Sequence, residues 1–392
     1  MEGPSHPTED ETRTRLLGSV FEDLEPLSQR IVASMQQAMP AYAALSEEDL
    51  LPGVVTNLRL MLPAMRSGRP FSEDELASFT AQGDLRARQG VPIEELLRGW
   101  RLGTRALVDE MLHWARQTGV DEGMVLDLTR SVLAAADVAV VSAARGHRHA
   151  ELRSDRQEQR RRAELVRGTL LGTLGPSEIR AGVERYRLDP DRQYHAIRAT
   201  PTPDRPADQL EQLLGLAPGS RGGPRLTALI DDDLWGFVGS APREPVDVPV
   251  GIGPATTLDG LASSFRLASR AVSTAAAFGL VGAHDLASLG LLPAVLADDD
   301  VGEQLVQRYV APAGQGPSGP DLLRTVACYL DNDMRVDRTA SALFVHQNTV
   351  RYRLSRFEEA TGADLRKPRD AFEVWWSLQR SQVAGPDAPT DP

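Results

Sequence analysis

The chain has 392 residues, 41% hydrophobic and 25% charged, with a net charge of −12. That length allows two or three packed domains, and the composition is ordinary for a globular protein. The single cysteine, Cys328, excludes an intramolecular disulfide framework and any multi-cysteine metal site, and the acidic balance excludes a protein that coats nucleic acid along its whole surface.

The opening MEGPSHPTEDETRTR has no apolar h-region, and no run in the chain approaches the length of a membrane span, so a soluble, cytoplasmic protein with no membrane contact is expected. Residues 1–10 and the closing AGPDAPTDP are rich in Pro, Gly and acid and are expected to be unfolded. From Thr12 to His149 nearly everything reads as helix. Ser46 and Ser72 each precede an acid at the third position, Asp49 and Glu75, which is an N-cap pattern. Pro92 suits a first helical turn, with Ile93, Leu96, Leu97 and Trp100 as the buried stripe. A further helix is expected from Val120 to Ala144, giving a bundle of four or five helices over 12–150. Arg98, Arg101 and Arg105 with Asp109 read either as an anion pocket or as a solvated face with i,i+4 pairs. His147, His149 and Glu151 read as surface groups at a helix end rather than a metal site, because no partner cluster exists elsewhere in the chain.

Residues 151–175 carry six arginines between Arg153 and Arg167, interleaved with acids. Leu152, Arg156, Gln159, Ala163, Val166 and Leu170 recur there at 4-3-4-3 spacing, the pattern of an exposed connecting helix. After Asp191 the period changes. YHAIRAT is a strand, Gln209–Leu214 a short helix between loops, and LTALIDDDLWGFVG a hairpin turning across Asp231, Asp232 and Asp233. One more strand and a long Ala-rich helix complete an α+β domain over 187–285. The three aspartates read as a solvated turn rather than a cation site, and Gly251-Ile-Gly253 lacks the rest of a dinucleotide fingerprint, so no catalytic, metal or cofactor residues are assigned. Leu289–Val310 reads as one helix, and AGQGPSGP as a flexible linker, within a connector over 286–320.

The most informative stretch lies within 321–380. Val336 to Glu359, VDRTASALFVHQNTVRYRLSRFEE, reads as two short helices broken at Phe344-Val345-His346. In the second, Val350, Leu354 and Phe357 form an i, i+4, i+7 apolar stripe. Its opposite face carries Asn348, Tyr352 and Ser355, flanked by Thr349, Arg351 and Arg356. Amide and guanidinium groups of this kind pair bidentately with adenine and guanine edges in the major groove. Between Arg335 and Phe357 five arginines face one acid, Asp337, so the local sign opposes the global one. The expected DNA-binding residues are Arg338, Thr339, Gln347, Asn348, Thr349, Arg351, Tyr352, Arg353 and Arg356. Trp375 and Trp376 are adjacent, so one is expected to close the core and the other to stay exposed.

ALFVHQNTVRYRLSRFEEATGADLRKPRDAFEVWWSLQ resembles the C-terminal helix-turn-helix of the PucR/CdaR family of bacterial transcriptional regulators, and its second helix is similar to that of Fis-type DNA-binding proteins in Thr349 and Arg351. It departs from the family in placing Gln347 where a Pro is usual, which bears on the rigidity of the turn. QGVPIEELLRGWRLGTRALVDEM, with the helices before it, resembles the N-terminal domain of RsbR-type co-antagonists. The α+β order of 187–285 resembles the GGDEF-like, degenerate cyclase-like domain central to the PucR/CdaR family. Together these resemblances imply a mainly α, multidomain fold: an N-terminal helical bundle, a central α+β domain and a C-terminal helix-turn-helix. They also imply a non-enzymatic regulator that binds a double-stranded DNA operator as a homodimer or higher homo-oligomer, under an unknown small-molecule or protein effector. Two rival readings are an RsbR-like signalling scaffold and a nucleotide cyclase centred on 191–285.

Overall fold

In a computed structural model, the structure describes residue 18 and residues 24–67, 69–118, 120–214, 224–242 and 245–383. The expected unfolded ends, the helix onset at Thr12 and most of the loop Gly215–Pro224 lie outside the described residues. The chain divides into two compact units, 1–158 and 159–392.

The first unit is helical, with α1 (Leu24–Ala38), α2 (Glu47–Ser67), α3 (Glu73–Arg88), α4 (Ile93–Thr118) and the first part of α5 (Glu122–Leu171). Both predicted caps form. Ser72 Oγ accepts from the Glu75 amide while Glu75 Oε2 accepts from the Ser72 amide at 2.8 Å, and Ser46 Oγ accepts from the Asp49 amide at 3.2 Å. The core gathers Leu27, Ile31, Leu50, Leu62, Phe79, Leu107 and Val132. Phe79 meets Phe71 and Trp100 edge-on at 5.2 and 5.9 Å.

Helix α5 runs unbroken for 50 residues, so the break expected near residue 150 is absent. Gly146 is a packing residue. A Cβ there would lie 1.9 Å from the Thr80 carbonyl oxygen, and one on Gly83 would lie 1.8 Å from that of Ala143. Two glycines thus let α3 and α5 cross backbone to backbone. The crossing also corrects the reading of His147 as a surface group. It is 1% exposed, with Nε2 2.7 Å from the Val91 carbonyl oxygen. Arg105 and Asp109, both well exposed, lie 3.8 Å apart, the solvated-face alternative.

The second unit opens with the end of α5, whose Val166 and Leu170 are buried with the sheet, while Leu152 of the same 4-3-4-3 series is 45% exposed. After α6 (Pro176–Tyr186) come β1 (Tyr194–Ala199), α7 (Ala207–Leu213), β2 (Arg225–Ile230), β3 (Asp233–Val238), β4 (Pro249–Thr256), α8 (Leu261–Ala277) and β5 (Gly282–His284). The sheet order is β2-β3-β1-β4-β5, antiparallel except for the β4–β5 pair. Period-two alternation places Tyr194 and Ala196 in one apolar cluster and Ile197 and Ala199 in another, so both faces of the sheet are covered.

The hairpin turns on Asp231 and Asp232 alone, both left-handed at φ 50° and 64°, the backbone of a two-residue hairpin loop. Asp233, expected in the turn, is instead the first residue of β3. It is 7% exposed and accepts from Arg198 Nε at 2.7 Å. Asp231 accepts from Arg167 at 2.7 Å. Gly251 and Gly253 serve packing. A Cβ on Gly251 would meet the Ala268 carbonyl oxygen at 1.9 Å, and one on Gly253 that of Ser264 at 2.2 Å, so α8 lies directly on the β4 backbone.

The single helix expected over Leu289–Val310 is interrupted. A helical turn, Leu292–Val295, ends before Asp298, which caps α9 (Asp299–Leu305) by accepting from the Val301 amide at 3.0 Å. A π-helical segment Val306–Val310 and a turn Ala311–Ala313 follow. The expected flexible linker is a closed turn: Gly314 N donates to the Val310 carbonyl at 2.8 Å, and a Cβ on Gly319 would meet the Gly314 oxygen at 2.2 Å.

Two predictions follow from the sheet. Gly251→Ala should destabilise the second unit by about 3 kcal/mol or more, because backbone on α8 must move. Urea unfolding followed by circular dichroism would measure it. Asp231→Asn and Asp232→Asn, by contrast, should each stay within about 0.5 kcal/mol, since asparagine accepts the left-handed turn and the Asp231 ion pair is exposed.

Candidate nucleic-acid interface

The last four helices, α10 (Gly319–Asp331), α11 (Val336–Leu343), α12 (Gln347–Thr361) and α13 (Pro368–Val383), form one small core. Helix α10 stops at Asn332, whose side chain donates to the Cys328 carbonyl at 2.8 Å. The left-handed pair Asp333 and Met334 then reverses the chain, and the Met334 amide closes on the Tyr329 carbonyl at 2.9 Å. Helix α11 ends on Phe344, left-handed at φ 55°, with the Val345 amide donating to the Ala340 carbonyl at 3.0 Å. His346 is extended and caps α12, its Nδ1 accepting from the Asn348 amide at 3.2 Å. Gly362, at φ 74°, ends that helix.

The predicted stripe is buried: Val350 and Phe357 are fully covered and Leu354 is 9% exposed. They pack with Val326, Ala340, Leu365, Val374 and Leu378. Tyr309, from before the module, joins this core at 1% exposure, and its hydroxyl donates to Glu373 at 2.6 Å. Neither tryptophan closes the core. Trp375 and Trp376 are both half-buried around Phe372, and Val374 and Leu378 fill the interior in their place.

With the stripe fixed inward, the outer face of α12 is determined. Gln347, Asn348, Arg351, Tyr352, Ser355 and Arg356 are exposed, and Thr349 is half-buried. Arg351 donates to Asn348 Oδ1 at 3.1 Å and to Gln347 Oε1 at 3.4 Å, so three readout-type groups sit together at the start of the helix. Arg356 donates to Glu359 at 3.0 Å near its far end, and Arg338 on α11 pairs with Asp333. Arg335 holds the Asp337 carboxyl below its usual range by donating to it.

Two expected DNA-binding residues do not reach this face. Thr339 is fully buried, and its Oγ1 donates to the Arg335 carbonyl at 2.8 Å. Arg353 turns back to α10, donating to Asp321 at 2.5 Å and to Thr325 at 3.3 Å. A third difference is electrostatic. Asp333 and Glu359, just outside the stretch 335–357, pair with Arg338 and Arg356, and the fold brings the distant Asp321 to Arg353. Phe344, expected only as part of the break between the two helices, is 95% exposed. The only signal for it was a bulky residue at a helix end where glycine is usual.

Residues 322–379 match the PucR C-terminal helix-turn-helix domain, and residues 25–162 match the N-terminal domain of the RsbT co-antagonist protein RsbRD. An uncharacterized protein of Mycobacterium tuberculosis is 38% identical over 130 residues, 32% of this chain and 30% of that protein. The transcriptional activator PmfR of Paenarthrobacter nicotinovorans is 39% identical over 67 residues, 17% of this chain and 14% of its own. The carbohydrate diacid regulator of Escherichia coli is 40% identical over 58 residues, 15% of each chain. The similarity to the mycobacterial protein thus spans under a third of its length. The chain joins an RsbRD-type N-terminal domain to a PucR-type C-terminal helix-turn-helix domain.

Proposed function

We propose that the protein is a PucR-type transcriptional regulator of the cytoplasm that binds double-stranded operator DNA through α12. The observation that carries this reading is the exposed trio Gln347, Asn348 and Arg351 with Tyr352 on the first half of a helix whose other side is locked in the core. The start of the second helix is the part that enters the groove in this motif. Arg338 and Arg356 sit further out in exposed ion pairs, which are cheap to exchange for phosphate. A homodimer or higher homo-oligomer is needed because one short helix reads too few base pairs for genomic specificity. Leu126, Leu133 and Val141, exposed along α5, offer an apolar surface for such assembly.

The central α+β domain is read as a degenerate cyclase-like module with a sensing or coupling role, and the protein as a non-enzyme. In support, two of the three hairpin aspartates are engaged by Arg167 and Arg198, which leaves little charge for a metal. An effector would act through this domain and the N-terminal one. Among the described residues no helix is long and apolar enough to cross a membrane.

Binding isotherms of the full chain on a selected operator and on scrambled duplex, across salt concentrations, test the reading. Arg351→Ala or Asn348→Ala should cost roughly 1–3 kcal/mol on the operator and much less on scrambled DNA. Arg338→Ala and Arg356→Ala should weaken both duplexes alike and reduce the salt slope by about one unit each. Equal loss on both duplexes for Arg351→Ala would mean that α12 does not read bases.

Arg353→Ala should behave differently. Its guanidinium ties α12 to α10, so its loss should destabilise the module by about 1–3 kcal/mol. DNA affinity per folded molecule should stay unchanged. Thermal unfolding beside an active-fraction titration separates the two effects.

A further inference from the structure

Helices α1 to α4 of the first unit, with the helical turn Pro40–Ala43, line a partly open cavity of about 60 Å³. Most of its wall is apolar, including Ile31, Met35, Leu58, Met61, Leu96 and Leu107. One part is polar and holds Tyr42, Asn57, Gln82 and Arg86. Arg86 is 6% exposed, and it donates to the carbonyls of Asp49 at 3.1 Å and Leu50 at 3.3 Å and to Gln89 Oε1 at 2.5 Å. All three acceptors are uncharged. Asp49, whose field partly offsets the guanidinium, accepts from Ser46 Oγ at 2.6 Å with its own carboxylate.

Two buried oxygens, Asn57 Oδ1 and Gln82 Oε1, have no hydrogen-bond partner in the described structure. Gly53 is what lets the polar groups converge: a Cβ there would stand 2.6 Å from Gln82 Oε1 and 2.7 Å from Arg86 Nη2. Burial pushes the Tyr42 hydroxyl up to about 12, so it stays neutral.

A buried cation with no carboxylate hydrogen-bonded to it and two orphaned acceptors are costly unless something fills their needs. The cation calls for an anion, and the acceptors call for a donor. A water needs about 10–15 Å³ on this scale, so the space suits roughly four to six water-sized positions, or an organic molecule of about six heavy atoms.

We propose that this cavity is a binding site for a short-chain hydroxycarboxylate, with its carboxylate on Arg86, its hydroxyl donating to Asn57 Oδ1 or Gln82 Oε1, and its carbon chain against the apolar wall. The inference concerns the helical bundle alone and does not rest on the DNA-binding reading. A ligand effect without DNA binding, or the reverse, tells the two apart.

The test is thermal unfolding of the full chain in lactate, with lactamide as the neutral isostere, propionate as the analogue lacking the hydroxyl, and sodium chloride at equal ionic strength. Lactate should raise the unfolding temperature saturably by several degrees. Propionate should do so only at several-fold higher concentration, and lactamide and chloride should not. Arg86→Gln should abolish the lactate shift, but it also removes bonds to two carbonyls and so could fail to fold. Gly103→Leu decides in that event. A Cβ on Gly103, which lines the cavity, meets only Ile31 Cγ2, at 3.8 Å, an ordinary contact, so a side chain can start from there. This variant should fold and lose the lactate response. A lactate shift no greater than that of lactamide or chloride, or one that survives in Gly103→Leu, would overturn the proposal.

Discussion

Helix α12 has one degree of freedom that matters, its rotation about its own axis, and the burial of Val350, Leu354 and Phe357 removes it. Three large apolar side chains over two turns contribute on the order of 5–8 kcal/mol by transfer, more than the exposed polar contacts around them could oppose. Everything outside the stripe follows. Arg351 meets Asn348 and Gln347 because they lie one turn back on the same exposed side. Arg353 cannot join them, since its direction takes it to Asp321. The proposed DNA-reading face is therefore a by-product of packing, which is why its members are exposed yet ordered.

The same dependence of surface on interior recurs at the glycines. Gly83 and Gly146 in the bundle, and Gly251 and Gly253 in the sheet, each occupy a place where a neighbouring carbonyl has taken the space of a side chain. These contacts set the distance between elements more strictly than apolar side chains could, because backbone cannot change rotamer. They also explain Gly251-Ile-Gly253 without any phosphate: the missing side chains make room for α8.

What the sequence makes legible is what depends on neighbours within a turn or two. The α12 stripe, the Ser72 capping box, the hairpin and the Ala-rich helix all follow from local spacing, and all are present. What it hides depends on partners far along the chain. His147 is buried because Val91, fifty-six residues earlier, offers a carbonyl. Thr339 and Arg353 have side chains fit for a DNA interface, and only the position of α10 and the turn of α11 show that they face inward. Sequence alone sees residue chemistry and helix face. It does not see which face a third helix will cover.

Tyr309 carries a last consequence. It lies thirteen residues before the stretch that matches the helix-turn-helix domain, yet it is buried in that domain's core. Arg308 and Tyr309 both reach Glu373, and Arg380 reaches back to Asp299. A peptide cut at residue 321 would open an aromatic-sized void, at about 3–5 kcal/mol, in a domain so small that its whole stability is of that order. The stretch of similarity and the apolar core are thus different lengths of chain, since the core takes in Tyr309 and Ala313.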